Sequence, residues 1–124
     1  MPARRLGNGW EPHVDEDADG LTYSQPVDSG FMSRTFSFRL DPAALDVLLN
    51  DSYRRAVLEV VGHRMLQDSW LEEREFTQSA FDALVSSVLY SSPTDLAGFV
   101  HRFGREHNIA LHIYVDECLA RRQP

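Results

Sequence analysis

The acidic segment near the start of the chain comes nearest to a known binding chemistry. Asp15, Asp17 and Asp19 alternate and are followed by Gly20, which matches the first half of an EF-hand calcium loop. The second half fails, because the loop position where a bidentate Glu would close the coordination sphere is Pro26. The pattern favours a solvated acidic turn over a calcium site. We therefore predict no metal and no cofactor here.

Three histidines near the end of the chain, His101, His107 and His112, raise the question of a zinc site. Such a site needs three or four converging ligands, usually from closely spaced pairs. No Cys pair and no His-Glu-x-x-His pattern accompanies them. The pattern favours cations near a helix C-terminus, where the helix dipole stabilises positive charge.

The alternation from Ile109 to Asp116 predicts a C-terminal strand with His112, Tyr114 and Asp116 on its outer face. If this strand neighbours an earlier one, Arg39 lies beside them. A histidine next to a carboxylate can perform general acid–base chemistry. No residue pattern marks a nucleophile or a pocket, so we interpret these four residues as a polar face for docking a partner.

Residues 1–30 differ in composition from the rest of the chain. They hold four of the seven Gly and six acidic residues against two Arg, which leaves little apolar surface to offset the entropy of ordering. We expect a disordered or loosely attached acidic leader, followed by one compact domain over residues 31–124. Its acids are candidate contacts for a basic partner: Glu11, Asp15, Glu16, Asp17 and Asp19.

The overall charge excludes some classes of partner. The 124 residues include 19 acids and 12 bases, all of them Arg, for a net charge of −7. Phosphate binding relies on clustered Lys and Arg, so nucleic acid is disfavoured as a partner. No apolar run reaches the length of a membrane span, and no signal peptide is recognised, so we expect a cytoplasmic protein. The absence of Lys indicates a high-GC bacterium, or its phage or plasmid, rather than an activity.

Hydrophobic periodicity predicts the remaining elements. Alternation over Thr35–Leu40 indicates a strand with one buried face. Apolar residues at helical spacing then indicate four helices, the second of them running to about Gln67 with Arg55 and Glu59 on its wet face. The predicted helix N-caps are Asp41, Ser52, Thr77 and Ser92.

These elements predict an α+β fold in which two short amphipathic strands flank about four helices. Two strands make a marginal sheet. The strands could pair with each other, recruit Leu21–Val27 as an edge strand, or pair across a homodimer.

Three classes of function remain open. The first is a non-enzymatic protein-interaction module, such as an adaptor, an accessory subunit or an inhibitor of the immunity or anti-defence kind. The second is a DNA-associated transcriptional regulator, and the third is a small enzyme using the outer face of the C-terminal strand. The small size, the absent catalytic constellation and the strand edges favour the first.

Overall fold

A computed structural model describes residues 3–8 and 10–122 of the chain. A four-stranded antiparallel meander comes first, in the order β1-β2-β3-β4, and five helices follow. The chain is therefore α+β, as the sequence predicts. The strands are β1 (Ala3–Leu6), β2 (His13–Asp17), β3 (Gly20–Ser29) and β4 (Met32–Leu40).

The prediction of a disordered leader over residues 1–30 is wrong for the residues that the structure describes. They form β1, β2 and β3, and β3 lies inside the sheet rather than at its edge. Composition underestimated this segment because its few apolar residues fall at strand positions that share one face of the sheet. Val14, Leu21, Tyr23 and Val27 all point to the inner face of the sheet and are almost fully buried.

An interior strand tolerates Pro26 because of where β2 ends. The last pair between β2 and β3 joins His13 and Ser24, so β2 offers no partner opposite residue 26. On the other side, Pro26 faces Thr35 of β4. The two-residue turn between β3 and β4 begins at Gly30, whose φ of +63° suits the first central position of a primed hairpin turn.

Five helices complete the fold: α1 (Pro42–Asn50), α2 (Ser52–Leu71), α3 (Gln78–Leu89), α4 (Pro93–Glu106) and α5 (Leu111–Arg121). The predicted caps Asp41, Thr77 and Ser92 are confirmed, since each side chain accepts a backbone N–H of the first turn. The cap of α2 is Asp51 rather than Ser52, and α2 runs four residues past Gln67.

The predicted C-terminal strand over residues 109–116 is wrong, because this segment belongs mainly to α5. Its buried residues are Leu111, Val115 and Cys118, which follow the spacing of a helix face. Ile113, the residue that alternation assigned to the core, is about half exposed. The helix is stabilised by packing on α2 rather than by local alternation.

The core lies between the inner face of the sheet and the helices. Helix α2 packs on β3, and helix α3 packs on β4. At this interface the ring of Phe38 stacks on Phe81, with centroids 4.6 Å apart, and meets Phe76 edge-on at 5.7 Å. Helix α5 packs on the side of α2, which brings the end of the described chain beside the strands.

Candidate functional site

The outer edge of β4 is the longest stretch of unpaired strand backbone in the part of the chain that the structure describes. In an antiparallel pair, alternate residues direct their N–H and C=O groups toward the partner strand. The turn pairs Ser29 with Met32, so even-numbered residues of β4 face β3. The backbone groups of Ser33, Thr35 and Ser37 therefore face away from the sheet, and none of the described residues hydrogen-bonds to them.

One side chain confirms this direction at the end of the strand. The amide of Gln78 accepts a hydrogen bond from the backbone N–H of Arg39 at 2.8 Å and donates one to its C=O at 2.9 Å. Gln78 thus occupies the position that a neighbouring strand would take. The unpaired edge runs from Ser33 to Ser37, between the hairpin turn and this amide.

A groove of about 630 Å³ runs along the same edge; we call it the β4 groove. Its walls are one side of β4 and the segment between α2 and α3, and its lining residues are Arg34–Phe38, Ser69, Trp70 and Glu73–Phe76. Trp70 meets Phe36 edge-on at 6.4 Å, and the guanidinium of Arg34 lies 4.7 Å over the ring of Phe36. The groove therefore combines aromatic walls with both acidic and basic side chains.

The hairpin turn at one end of this edge carries two exposed apolar side chains. Phe31 is fully exposed and Met32 is 65% exposed. Large apolar groups at an edge are unusual on a surface that has no partner, because natural edge strands are normally protected by charge or proline.

A second candidate lies on the other side of α2, where five polar residues meet; we call it the Glu59 cluster (Glu11, Arg55, Glu59, Cys118 and Arg122). Glu59 is only 6% exposed. Its carboxylate accepts from Arg55 Nε at 3.1 Å, from an Arg122 guanidinium nitrogen, and from the Cys118 thiol at 3.5 Å. The expectation that Arg55 and Glu59 lie on a wet face is wrong.

Glu11 extends this cluster to the N-terminal segment. Its carboxylate accepts the backbone N–H of Asn8 at 2.6 Å and lies 3.3 Å from Arg122 and 3.8 Å from Arg55. Partial burial raises its pKa, but the Asn8 hydrogen bond and the two guanidinium groups outweigh that effect, so the pKa lies below its ordinary value. The cluster thereby ties the strands, α2 and α5 together.

Burial has the opposite effect on the thiol of the cluster. Removal from water and the neighbouring Glu59 carboxylate raise the pKa of Cys118, and Arg122 only partly offsets them. A thiol with a raised pKa is protonated at neutral pH and is a poor nucleophile. The arrangement therefore does not activate Cys118.

Beneath the cluster, a short hydrogen-bond chain fixes the sheet against α2. Tyr23 donates its hydroxyl to Gln25 Oε1 at 2.9 Å, and Gln25 Nε2 donates to the backbone C=O of Glu59 at 2.7 Å. Gly62 provides the space, since a Cβ there would lie 2.8 Å from Gln25 Oε1. These buried polar groups satisfy each other, which is typical of a structural network.

A groove of about 620 Å³ opens above the cluster, with Trp10 and Tyr114 among its lining residues. His63 also faces it; burial lowers the pKa of this histidine, and Asp28 offsets the effect only in part. One buried nitrogen, Arg122 Nη1, has no hydrogen-bond partner. The carboxylates beneath the groove, those of Glu11 and Glu59, are both engaged by guanidinium groups.

The predicted partner-binding acids do not form one surface. Asp15 pairs with Arg4 at 2.7 Å, and Glu16 pairs with Arg5. Across the two-residue turn that joins β2 and β3, Asp17 accepts the backbone N–H of Asp19 at 2.8 Å. Glu11 alone among these acids reaches the Glu59 cluster. The half-matched calcium loop is therefore a β-hairpin turn, and its role in binding stays a prediction.

The predicted docking face on the C-terminal strand is not assembled, because His112, Tyr114 and Asp116 lie on α5. All three are exposed, but Tyr114 lines the groove above Glu59 whereas His112 lines a separate hollow against α4. Arg39 is on β4, with its backbone bonded to Gln78. The strand face on which these four residues were expected to lie together is absent, and their role in binding stays a prediction.

The sequence did hold a signal for the residue that was missed. Glu59 follows Ala56, Val57 and Leu58 and precedes Val60 and Val61. A helix segment that is apolar on all sides is buried on all sides, and an acid inside it must find a partner there.

Comparisons of the chain with protein-family models, with curated proteins and with solved structures found no match. Within the described residues, no group of three His, Cys, Asp or Glu side chains is placed to hold a metal ion. In the same residues, none of the helices is long and apolar enough to cross a membrane.

Proposed function

We propose that this chain is a non-enzymatic protein-interaction module that takes up an extended segment of a partner polypeptide along the edge of β4. The observation that carries this proposal is the unpaired backbone of Ser33, Thr35 and Ser37 beside the β4 groove. An added strand can form hydrogen bonds with all three residues, and its side chains can enter the groove.

The lining of the groove defines the chemistry of the incoming segment. Phe36, Trp70 and Phe76 offer apolar contacts, Glu73 and Glu75 can pair with basic side chains, and Arg34 and Arg74 add positive charge to the same lining. A matching strand would direct alternate side chains into the groove, some apolar and some basic. Its other side chains would lie on the polar outer face of the sheet, beside Thr35 and Ser37.

The Glu59 cluster supports the non-enzymatic part of the proposal. Its carboxylates are held by guanidinium groups, and the pKa of its thiol is raised. We further propose that the module works in the cytoplasm as an adaptor, an accessory subunit or an inhibitor. Strand addition suits each of these roles because it needs little rearrangement of the rigid core.

A labelled nine-residue peptide with the sequence of residues 31–39 is the probe that tests strand addition. We expect saturable binding to the full chain in a fluorescence anisotropy titration. The matched control is the same peptide methylated on the backbone nitrogens of residues 33, 35 and 37, which keeps every side chain but removes the donors. We expect it to bind at least about tenfold more weakly, as expected for the loss of about 1.4 kcal/mol or more. Equal binding of both peptides, or no binding of either, contradicts the proposal.

A further inference from the structure

We propose that the partner strand at this edge is β4 of a second copy of the chain, related by a two-fold axis at Thr35. This inference rests on the proposed function, because it names the segment that adds to the edge. It would join two four-stranded sheets into one continuous sheet of eight strands. A symmetric dimer is the commonest assembly of soluble proteins, and its interface must be complementary to itself.

The hydrogen-bonding groups of the edge select this register. Outward-facing residues of β4 are odd-numbered, so an antiparallel pairing must join odd residues to odd residues. With the axis at Thr35, each Ser33 faces Ser37 of the other copy, and the two Thr35 residues face each other. All three outward residues are then bonded in both copies, and the bonds between Arg39 and Gln78 are left intact.

The same register matches the side chains along the groove. Met32 of one copy falls opposite Phe38 of the other, at the end of the groove where Phe76 lies. This contact would cover an apolar side chain that is 65% exposed in the single chain. Cross-strand contacts of this kind are the unit by which sheets are stabilised.

The pairing of Arg34 with Phe36 in the middle of the strand is also complementary to itself. Arg34 of one copy falls opposite Phe36 of the other, where a guanidinium can stack on the ring as it already does within one chain. It also approaches the acidic side chains of Glu73 and Glu75 that line the groove. The strand thus presents the alternation of apolar and basic groups that the groove requires.

Sedimentation equilibrium over a range of concentrations tests this proposal. We expect a reversible dimer of twice the 14.1 kDa chain mass. Thr35→Pro removes the central N–H donor of the edge without disturbing the bonds to β3, because proline is tolerated on an edge strand. We expect at least a tenfold weaker dimer. Thr35→Ala, which keeps the donor, is the matched control and should dimerise within about twofold of the parent chain.

A charge exchange keeps the proposal testable if Thr35→Pro does not fold. Arg34→Glu alone should weaken the dimer about tenfold or more, because it brings an acid against Glu73 and Glu75. Combining it with Glu75→Arg should restore part of the loss. Both positions are exposed, so circular dichroism should show an unchanged fold.

The outcomes separate this inference from the function on which it rests. A chain that stays monomeric at about 0.1 mM but binds the 31–39 peptide overturns the second copy and leaves strand addition standing. A monomer that binds no peptide overturns both. A dimer that Thr35→Pro and Arg34→Glu leave unchanged places the interface elsewhere and overturns the inference.

Discussion

The β4 edge and the Glu59 cluster lie in different parts of the molecule and differ in where their polar groups find hydrogen-bond partners. At the Glu59 cluster, the carboxylates, the Arg55 guanidinium and the Gln25 amide have partners within the chain, and Arg122 Nη1 is the one buried side-chain nitrogen or oxygen of the described residues without one. At the β4 edge, Ser33, Thr35 and Ser37 direct backbone donors and acceptors outward, where only water or another molecule can meet them.

Because of this difference, we expect the Glu59 cluster to contribute to the stability of the chain and the β4 edge to contribute to the recognition of a partner. Buried polar groups that are paired with each other favour one arrangement of the surrounding helices and strands. Removing one member of such a pair leaves an unpaired buried charge, which lowers the stability of the folded chain. Exposed backbone at an edge contributes little to the stability of the single chain but offers a template for another strand. Substitutions in the two regions should therefore affect different measurements.

Glu59→Ala should produce the largest loss of stability. It removes one of the two carboxylates that Arg55 and Arg122 share and leaves only Glu11 beside two guanidinium groups that are largely buried. Removing one partner of a buried ion pair costs about 3–5 kcal/mol. Urea denaturation followed by circular dichroism should show a loss in this range.

The matched control for that substitution is Glu75→Ala at the β4 groove. Glu75 is exposed, so its replacement should change the free energy of unfolding by less than about 0.5 kcal/mol. Similar losses for the two variants would show that the regions do not differ as proposed.

The Glu59 cluster was missed because sequence patterns report which side of a helix is apolar but not where a second element will pack. The pair Arg55 and Glu59 has the spacing of an exposed ion pair on a helix surface. Helix α5 covers this side of α2 and supplies Arg122, and the N-terminal segment supplies Glu11. Both partners are more than 40 residues away from Arg55 and Glu59 along the chain, so no local window could connect them.

The cap residues show the opposite case. Asp41, Thr77 and Ser92 act on backbone groups two or three positions away, so their roles follow from local sequence. The segment after Asn108 was misassigned because Ile109–Val115 alternates like a strand, whereas packing against α2 selects the helix face of Leu111, Val115 and Cys118. The position of the β4 edge and the partners of Glu59 likewise depend on how the helices and strands pack together, which local sequence does not determine.

The effect of Glu11→Gln on the free energy of unfolding should depend on pH, which tests whether the Glu59 cluster stabilises the chain through its charges. The folded state lowers the pKa of Glu11 below its ordinary value of 4.5. Its charge therefore adds stability that is fully present above pH 4.5 and is lost as the pH falls through the lowered pKa.

The stability gap between the parent chain and Glu11→Gln should thus be constant near neutral pH and should shrink below pH 4.5. Urea denaturation at a series of pH values measures this gap. A gap that stays constant down to about pH 3 would contradict the charged interaction of Glu11 with Arg55 and Arg122.

Gln78→Ala should have only a small effect on stability and tests the boundary of the β4 edge. Its amide bonds the exposed backbone groups of Arg39 and the exposed carboxylate of Asp82, and water can replace each of these bonds, so the loss should be about 1 kcal/mol or less. The substitution also extends the unpaired edge to residue 39, and a partner strand could then pair with four outward residues instead of three. Sedimentation should show a dimer at least as tight as that of the parent chain. A dimer weakened tenfold would instead mean that the start of α3 contributes directly to the interface.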